Sequence, residues 1–289
     1  MDTLTEQTSA RDVQTRKWKL HFNEAGQGHP VILLHGSGPG ATAWSNFSHN
    51  IGPLAQDYHV IALDSPGWGG SDAIDPTKEP FSDAVAESIV LLMDELGLEK
   101  AALVGNSGGG GAAMQVAALW PERVSHLITM GSGLPAPGSL IFSPAGLTEG
   151  IAILLQTYSD PSPENFRRLV SIMVFDPSFV TDELCEMRSR AALSNPDHLA
   201  NWAKRFIPDA LPGTSFATLA ENLATFQGPS LFIHGRDDRV VQMEMTLRLV
   251  SMVQNSAAHI FNRCGHWCQI EHARAFNALV NSFLRTHDD

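Results

Sequence analysis

The apolar run Ala101-Ala102-Leu103-Val104 ends in Gly105-Asn106-Ser107-Gly108-Gly109, and a helix-like stretch from Gly110 to Trp120 follows. Few folds accept such a junction. A serine on a tight turn between a strand and a helix is held in a strained backbone conformation, so its neighbours must be small enough to clear both elements. The turn also sets the serine at a helix N-terminus, where free N–H groups favour developing negative charge. The pattern predicts a nucleophile elbow with Ser107 at its tip. Glycine-rich turns with a serine are common, however, so the rest of the chain has to supply the partners that chemistry needs.

A serine nucleophile requires a base, and the base requires an orienting carboxylate. Downstream, Ser230-Leu231-Phe232-Ile233 runs into His234-Gly235-Arg236-Asp237-Asp238-Arg239-Val240-Val241. Further on, Ala258-His259-Ile260-Phe261 runs into Asn262-Arg263-Cys264-Gly265-His266-Trp267. Upstream, Val31-Ile32-Leu33-Leu34 leads into His35-Gly36-Ser37-Gly38-Pro39-Gly40, a loop able to supply an oxyanion-hole amide. Each candidate follows an apolar, strand-like run, and open α/β sheets gather their chemistry at strand ends. The order serine, acid, histidine completes a Ser-Asp-His triad reading.

The chain has 289 residues, 43% hydrophobic and 17% charged, which suits one large globular domain or a domain with an insertion. No apolar run approaches the roughly 20 residues that span a bilayer. Met1 to Thr8 lacks a basic segment followed by an apolar one, so no secretory signal is expected. Three cysteines do not make a disulfide framework and fit a reducing cytoplasm. A net charge of −12 argues against a nucleic-acid partner.

Strand and helix patterns alternate along the chain. Trp18, Leu20 and Phe22 alternate with polar residues as a half-covered strand does, Tyr58 to Leu63 is a short buried run, and Val85, Ile89, Leu92 and Leu96 recur at helical spacing. Val124 to Met130 reads as another strand. This predicts an α/β fold with a mostly parallel, doubly wound sheet. The pattern changes between Leu134 and Pro212, where Pro135, Pro137, Gly138, Pro144 and Gly146 cluster ahead of helical segments at 151–155, 166–170 and 181–184. We read residues 1–133 and 213–289 as two parts of the core and 134–212 as a helical lid between the sixth and seventh strands. The alternative is that these helices extend the core. The polar N-terminal arm is either disordered or a tie between subunits.

His35 to Phe47, Asp64-Ser65-Pro66-Gly67-Trp68-Gly69, Gly105-Asn106-Ser107, Gly235 to Val240 and Cys264 to Trp267 together resemble the meta-cleavage product hydrolases. These are α/β-hydrolases that split a C–C bond in vinylogous 1,5-diketones made by ring-opening dioxygenases. The similarity runs from about His21 to Leu284. It implies a small anionic 2-hydroxy-6-oxo-dienoate substrate and a homodimer or larger homo-oligomer. It also implies that Ser107 attacks the C6 carbonyl or activates a water, that His266 is the base and also moves the dienol proton, and that Asp238 rather than Asp237 is the triad acid. The N–H groups of Ser37 and Gly108 would form the oxyanion hole. Arg188 would hold the substrate carboxylate through its planar fork of donors. Asn46, Asn106 and Trp267 would line the same end of the pocket.

Plainer readings stand beside these. Arg188 could be a surface arginine like Arg190, Asn46 a backbone cap, Asn106 a residue tolerating the elbow geometry, and Trp267 apolar wall. His35 and His234 read as hydrogen-bonded scaffold. Cys264-Gly265-His266-Trp267-Cys268 lacks a second ligand pair at zinc spacing, so neither metal nor cofactor is expected. Three positions depart from the family pattern. Gly108 stands where a bulky Met or Leu is usual, which predicts a roomier acyl pocket and a helix weakened by consecutive glycines. Gln242 replaces a proline, and His234 a frequent Trp. A serine esterase or lactonase on the same fold, or a non-catalytic binder, remains the competing class.

Overall fold

The computed structural model describes residues 4–134, 146–205 and 211–286. From Leu4 on, the N-terminal arm takes up regular structure. After the short helix α1 (Glu6–Ser9), strand β1 (Ala10–Gln14) pairs antiparallel with β2 (Lys19–Ala25) and forms one edge of the sheet. The polar sequence of β1 fits that place, because an edge strand needs little apolar cover. Then follow β3 (Pro30–Leu34), α2 (Ala43–Leu54), β4 (His59–Leu63), α3 (Phe81–Glu95), β5 (Ala101–Asn106), α4 (Gly108–Leu119) and β6 (Val124–Met130). The cap helices are α5 (Glu149–Ser159), α6 (Pro163–Met173), α7 (Asp182–Leu193) and α8 (Pro196–Lys204). The chain finishes with α9 (Phe216–Ala224), β7 (Ser230–Gly235), α10 (Glu244–Met252), β8 (Ser256–Phe261), α11 (Cys268–Glu271) and α12 (Ala273–Arg285).

The strands form one sheet in the order β1-β2-β4-β3-β5-β6-β7-β8, with β2 antiparallel to β4 and every pair from β4 to β8 parallel. Chain order reverses between β3 and β5. At such a reversal the loops leaving the strand ends diverge and open a crevice. The loop after β3 carries Ser37 and the turn after β5 carries Ser107, so both face that crevice.

Apolar spacing explains how the sheet is covered. Phe47, Ile51 and Leu54 of α2, and Phe276, Val280 and Leu284 of α12, bury one face. Ile89 and Leu92 of α3, Val116 of α4 and Leu223 of α9 bury the other. Each such side chain contributes about 1.5–3 kcal/mol. The helical insert lies between β6 and β7, as its proline punctuation predicts. Thr148 and Thr181 cap α5 and α7 by accepting the N–H of Ile151 and Leu184, and Asn195 caps α8, whose first residue is Pro196. By Leu211 the chain has rejoined the core, its N–H bonded to Pro76 O at 2.8 Å. The cluster Pro135, Pro137, Gly138 and Pro144 lies outside the described residues.

Candidate active site

Ser107 occupies the left-handed region, with φ of 52° and ψ of −119°, and begins helix α4. Its N–H donates to Met130 O at 2.9 Å, and its carbonyl accepts from Gly111 N–H at 3.0 Å and Ser132 Oγ at 2.7 Å. These bonds hold a sparsely populated conformation that costs about 1–3 kcal/mol. The flanking glycines are required by contact: a Cβ on Gly105 would lie 2.4 Å from Gly109 O, and one on Gly109 2.2 Å from Leu34 O.

The candidate acid and base pair with each other, and His266 lines the same cavity as Ser107. His266 Nδ1 lies 2.7 Å from Asp238 Oδ2, with both side chains almost fully buried. Asp238 Oδ1 accepts the N–H groups of Val240 and Val241 at 2.7 and 3.0 Å. Burial alone would raise the Asp238 pKa, but the charge of His266 and hydrogen bonds from His234 and His266 outweigh it and hold the carboxyl below the usual range. Asp237, the rival acid, turns elsewhere: its Oδ2 accepts from Cys264 N–H at 3.3 Å and its own N–H donates to Cys264 O at 2.9 Å. The acid–histidine pair needs Gly131, whose φ is +54°, because a Cβ there would sit 2.8 Å from His266 Nδ1.

Two residues of this network were understated or missed in the sequence. His234 is buried scaffold, as expected, but its Nε2 lies 3.3 Å from Asp238 Oδ2 and 3.0 Å from Val241 O, while Nδ1 bonds Thr246 Oγ1 at 2.8 Å. It is a second N–H donor beside the Asp238 carboxylate. Glu271 braces the histidine loop, accepting Gly265 N–H at 2.6 Å and Phe175 N–H at 2.7 Å. The N–H of His266 itself donates to Met173 O of α6 at 2.7 Å, so the helical insert touches the core at this histidine. His35 is scaffold as read: Nδ1 donates to Gly36 O at 2.8 Å and Nε2 accepts from Ser65 N–H at 3.0 Å. The substitution at Gln242 is local, its carbonyl accepting Met245 N–H at 3.0 Å.

Ser37 and Gly108 face each other. A Cβ built on Gly108 would lie 2.7 Å from Ser37 Oγ and 3.3 Å from Ser37 N. Gly108 N–H opens helix α4 and therefore has no acceptor within the helix. The missing side chain at 108 thus bears first on the Ser37 loop. Tyr158 of α5 holds that loop. Its hydroxyl donates to Ser37 O at 2.7 Å and accepts from His198 Nε2 at 3.2 Å, and its ring stacks on Trp202 at 4.2 Å. Burial holds the His198 pKa down to about 3, so that imidazole is neutral.

Arg188 projects from α7 into the core of the site and is only 4% exposed. Its Nε and Nη2 have no hydrogen-bond partner, and its guanidinium lies 5.2 Å from the Trp267 ring. Burial pulls its pKa down to about 10, which leaves it charged at neutral pH. Arg190 is the surface arginine, paired with Glu186. Asn106 Nδ2 ties Met130 O and His266 O at 3.3 and 3.2 Å, while its buried Oδ1 is unpartnered. Asn46 Nδ2 bonds Thr42 O at 3.0 Å, so it braces the start of α2. Ser107, His266, Ser37, Arg188, Asn46, Asn106 and Trp267 line one narrow cavity of about 30 Å³, walled by Leu154, Phe166, Leu169, Val170 and Met173.

Among the described residues no three His, Cys, Asp or Glu side chains converge as metal ligands. Cys264 and Cys268 are buried thiols, and contact with Cys264 together with burial raises the Cys268 pKa well above its ordinary value. No described helix is long and apolar enough to cross a membrane.

Residues 29–273 match the family model for the alpha/beta hydrolase fold. Over 268 residues the chain is 46% identical to an Escherichia coli (strain K12 / DH10B) protein named 2-hydroxy-6-oxononadienedioate/2-hydroxy-6-oxononatrienedioate hydrolase, covering 92% of this chain and 91% of that one. Among solved structures, the meta-cleavage product hydrolase CumD from Pseudomonas fluorescens IP01 superposes with a TM-score of 0.83 at 34% identity, covering 96% and 98% of the two chains. The 2-hydroxy-6-oxo-6-phenylhexa-2,4-dienoate hydrolase from Rhodococcus sp. strain RHA1 superposes with a TM-score of 0.80 at 27% identity, covering 96% and 99%. With its elbow, its buried acid–histidine pair and its helical insert between β6 and β7, the chain belongs to the α/β-hydrolase family and, within it, to the meta-cleavage product hydrolases.

Proposed function

We propose that the protein hydrolyses the C5–C6 bond of a 2-hydroxy-6-oxohexa-2,4-dienoate, giving 2-hydroxypenta-2,4-dienoate and a carboxylic acid. The observation that carries this is Arg188, a buried cation with unpartnered donors in the same cavity as Ser107 and His266. Leaving a cation so placed is costly unless a ligand brings the anion.

On this reading Arg188 takes the C1 carboxylate, with Trp267 and Asn46 beside it, and the free Oδ1 of Asn106 accepts from the 2-hydroxyl. His266, charged in its turn against Asp238, moves the hydroxyl proton to C5, giving the 2,6-diketone. Ketonisation has to come first, since a carbanion leaves readily only when its electrons flow into a conjugated carbonyl. Ser107 then acts at C6, either attacking it or activating the water that does, and the C6 oxyanion points at the amides of Ser37 and Gly108. The C5–C6 bond breaks, its electron pair moves to the C2 carbonyl oxygen to restore the dienol, and water supplies the acid's new oxygen.

Residues 134–212 act as the cap over a core of 1–133 and 213–289, contributing Arg188 and the apolar wall. We further read the protein as a cytoplasmic homo-oligomer, in keeping with its three free cysteines, and light scattering tests the oligomer. For the activity, the assay is bleaching of a yellow dienoate set against turnover of p-nitrophenyl esters. Bleaching that disappears in Ser107→Ala is expected. Ester turnover without bleaching would overturn the C–C reading.

A further inference from the structure

We infer that this site takes dienoates with a single carboxylate, whose C6 group is uncharged and apolar. The inference rests on the reading above and goes against the substrate that the 46% identical relative's name suggests, a dienedioate with a carboxylate at each end. A dianion held in one cavity needs two counter-charges. Among the described residues that line the cavity, Arg188 is the single Arg or Lys, and His266 is the single histidine. His266 is committed to proton transfer against Asp238 and cannot serve as a standing counter-ion.

The remaining cations of the cap are engaged elsewhere. Arg167 pairs with Asp182, Arg190 with Glu186, and Lys204 lies against Asp75. Arg168 donates to Gln156, and Arg205 lies 4.2 Å from both the Trp202 and Phe81 rings. The first turn of α4, Gly108 to Gly111, carries no side chain at all. What the cap offers the substrate is instead hydrocarbon, from Leu154, Phe166, Leu169, Val170 and Met173. A carboxylate carried past Ser107 would lose water and find no cation, whereas a phenyl or alkyl group would gain from burial.

The test uses the purified full-length enzyme and three dienoates: 6-phenyl and 6-methyl monoanions, and the 6-(2-carboxyethyl) dianion. Steady-state bleaching at fixed ionic strength gives kcat/KM for each. A better monoanion should exceed the dianion by about 100-fold, the scale on which an unpaired polar group is rejected. Equal or higher kcat/KM for the dianion would overturn the inference while leaving the C–C reading intact. Failure to bleach any of the three would remove both.

Discussion

Replacing Arg188 by methionine should make the protein more stable and nearly inactive at once. The guanidinium is 4% exposed, two of its nitrogens have no partner, and burial lowers its pKa to about 10. That displacement corresponds to a penalty of about 3 kcal/mol on the charged form. Because the folded pKa lies below the unfolded one, the penalty is fully present below pH 10 and is relieved only above it. Methionine removes it, but also removes the contact with Trp267 at 5.2 Å, worth about 1–2 kcal/mol when desolvated. The net gain is about 1–2 kcal/mol, or a Tm rise of roughly 2–3 °C for a chain of this size. Loss of a charge-assisted carboxylate contact should lower kcat/KM by about 100- to 1,000-fold. Thermal unfolding with and without 2-hydroxypenta-2,4-dienoate separates the two effects, since the product should raise the wild-type Tm and leave that of Arg188→Met unchanged. A lower Tm in the variant would mean that the guanidinium is already satisfied within the protein, and the ligand assignment would fail with it.

Two further substitutions probe the support of the proposed triad and of the proposed oxyanion loop. His234→Leu removes an N–H donor 3.3 Å from Asp238 Oδ2 and should cut kcat/KM about tenfold at neutral pH. Asp238 has a depressed pKa, so its stabilisation is present above the ordinary carboxylate range and is lost as pH falls through its lower folded value. In His234→Leu that loss should begin at higher pH, and superimposable Tm–pH curves would refute the role. Tyr158→Phe keeps the stack on Trp202 but loses the 2.7 Å bond to Ser37 O. We expect kcat to fall about tenfold with KM within about twofold, as for a contact used mainly in the transition state; a change confined to KM would place Tyr158 in substrate binding instead.

The elbow of the candidate triad was legible because its signals are local. An apolar run ending in Gly-Asn-Ser-Gly-Gly specifies a strand, a strained turn and a helix within a few residues, and the structure forms β5, Ser107 and α4 there. The choice of Asp238 over Asp237 was not local. It depends on which carboxylate faces a histidine 28 residues later, and adjacent residues on a turn point in different directions. Strand β1 escaped notice because its alternation is mostly polar, as an edge permits. Glu271, His234 and Tyr158 carry no motif. Each acts through a backbone or side chain distant in sequence, and nothing in their own neighbourhoods announces the partner.

Gly108 shows how a local reading can be right about the residue and incomplete about the reason. A glycine in place of a bulky side chain suggests room for substrate, yet the vector of the missing Cβ points at Ser37, 2.7 Å from its hydroxyl. Ser37 is also the residue that Tyr158 grips from the cap and whose N–H lies beside Gly108. The glycine therefore lets two loops approach closely, one from β3 and one from β5, while a cap helix fixes the first from above. Helix propensity is sacrificed for this, at about 1 kcal/mol per glycine relative to alanine. That cost, the positive φ at Ser107 and the unpartnered Arg188 all fall on one cavity. A sheet buried on both faces can hold such unfavourable features in place, and their concentration at a single crevice is what distinguishes the site from the scaffold around it.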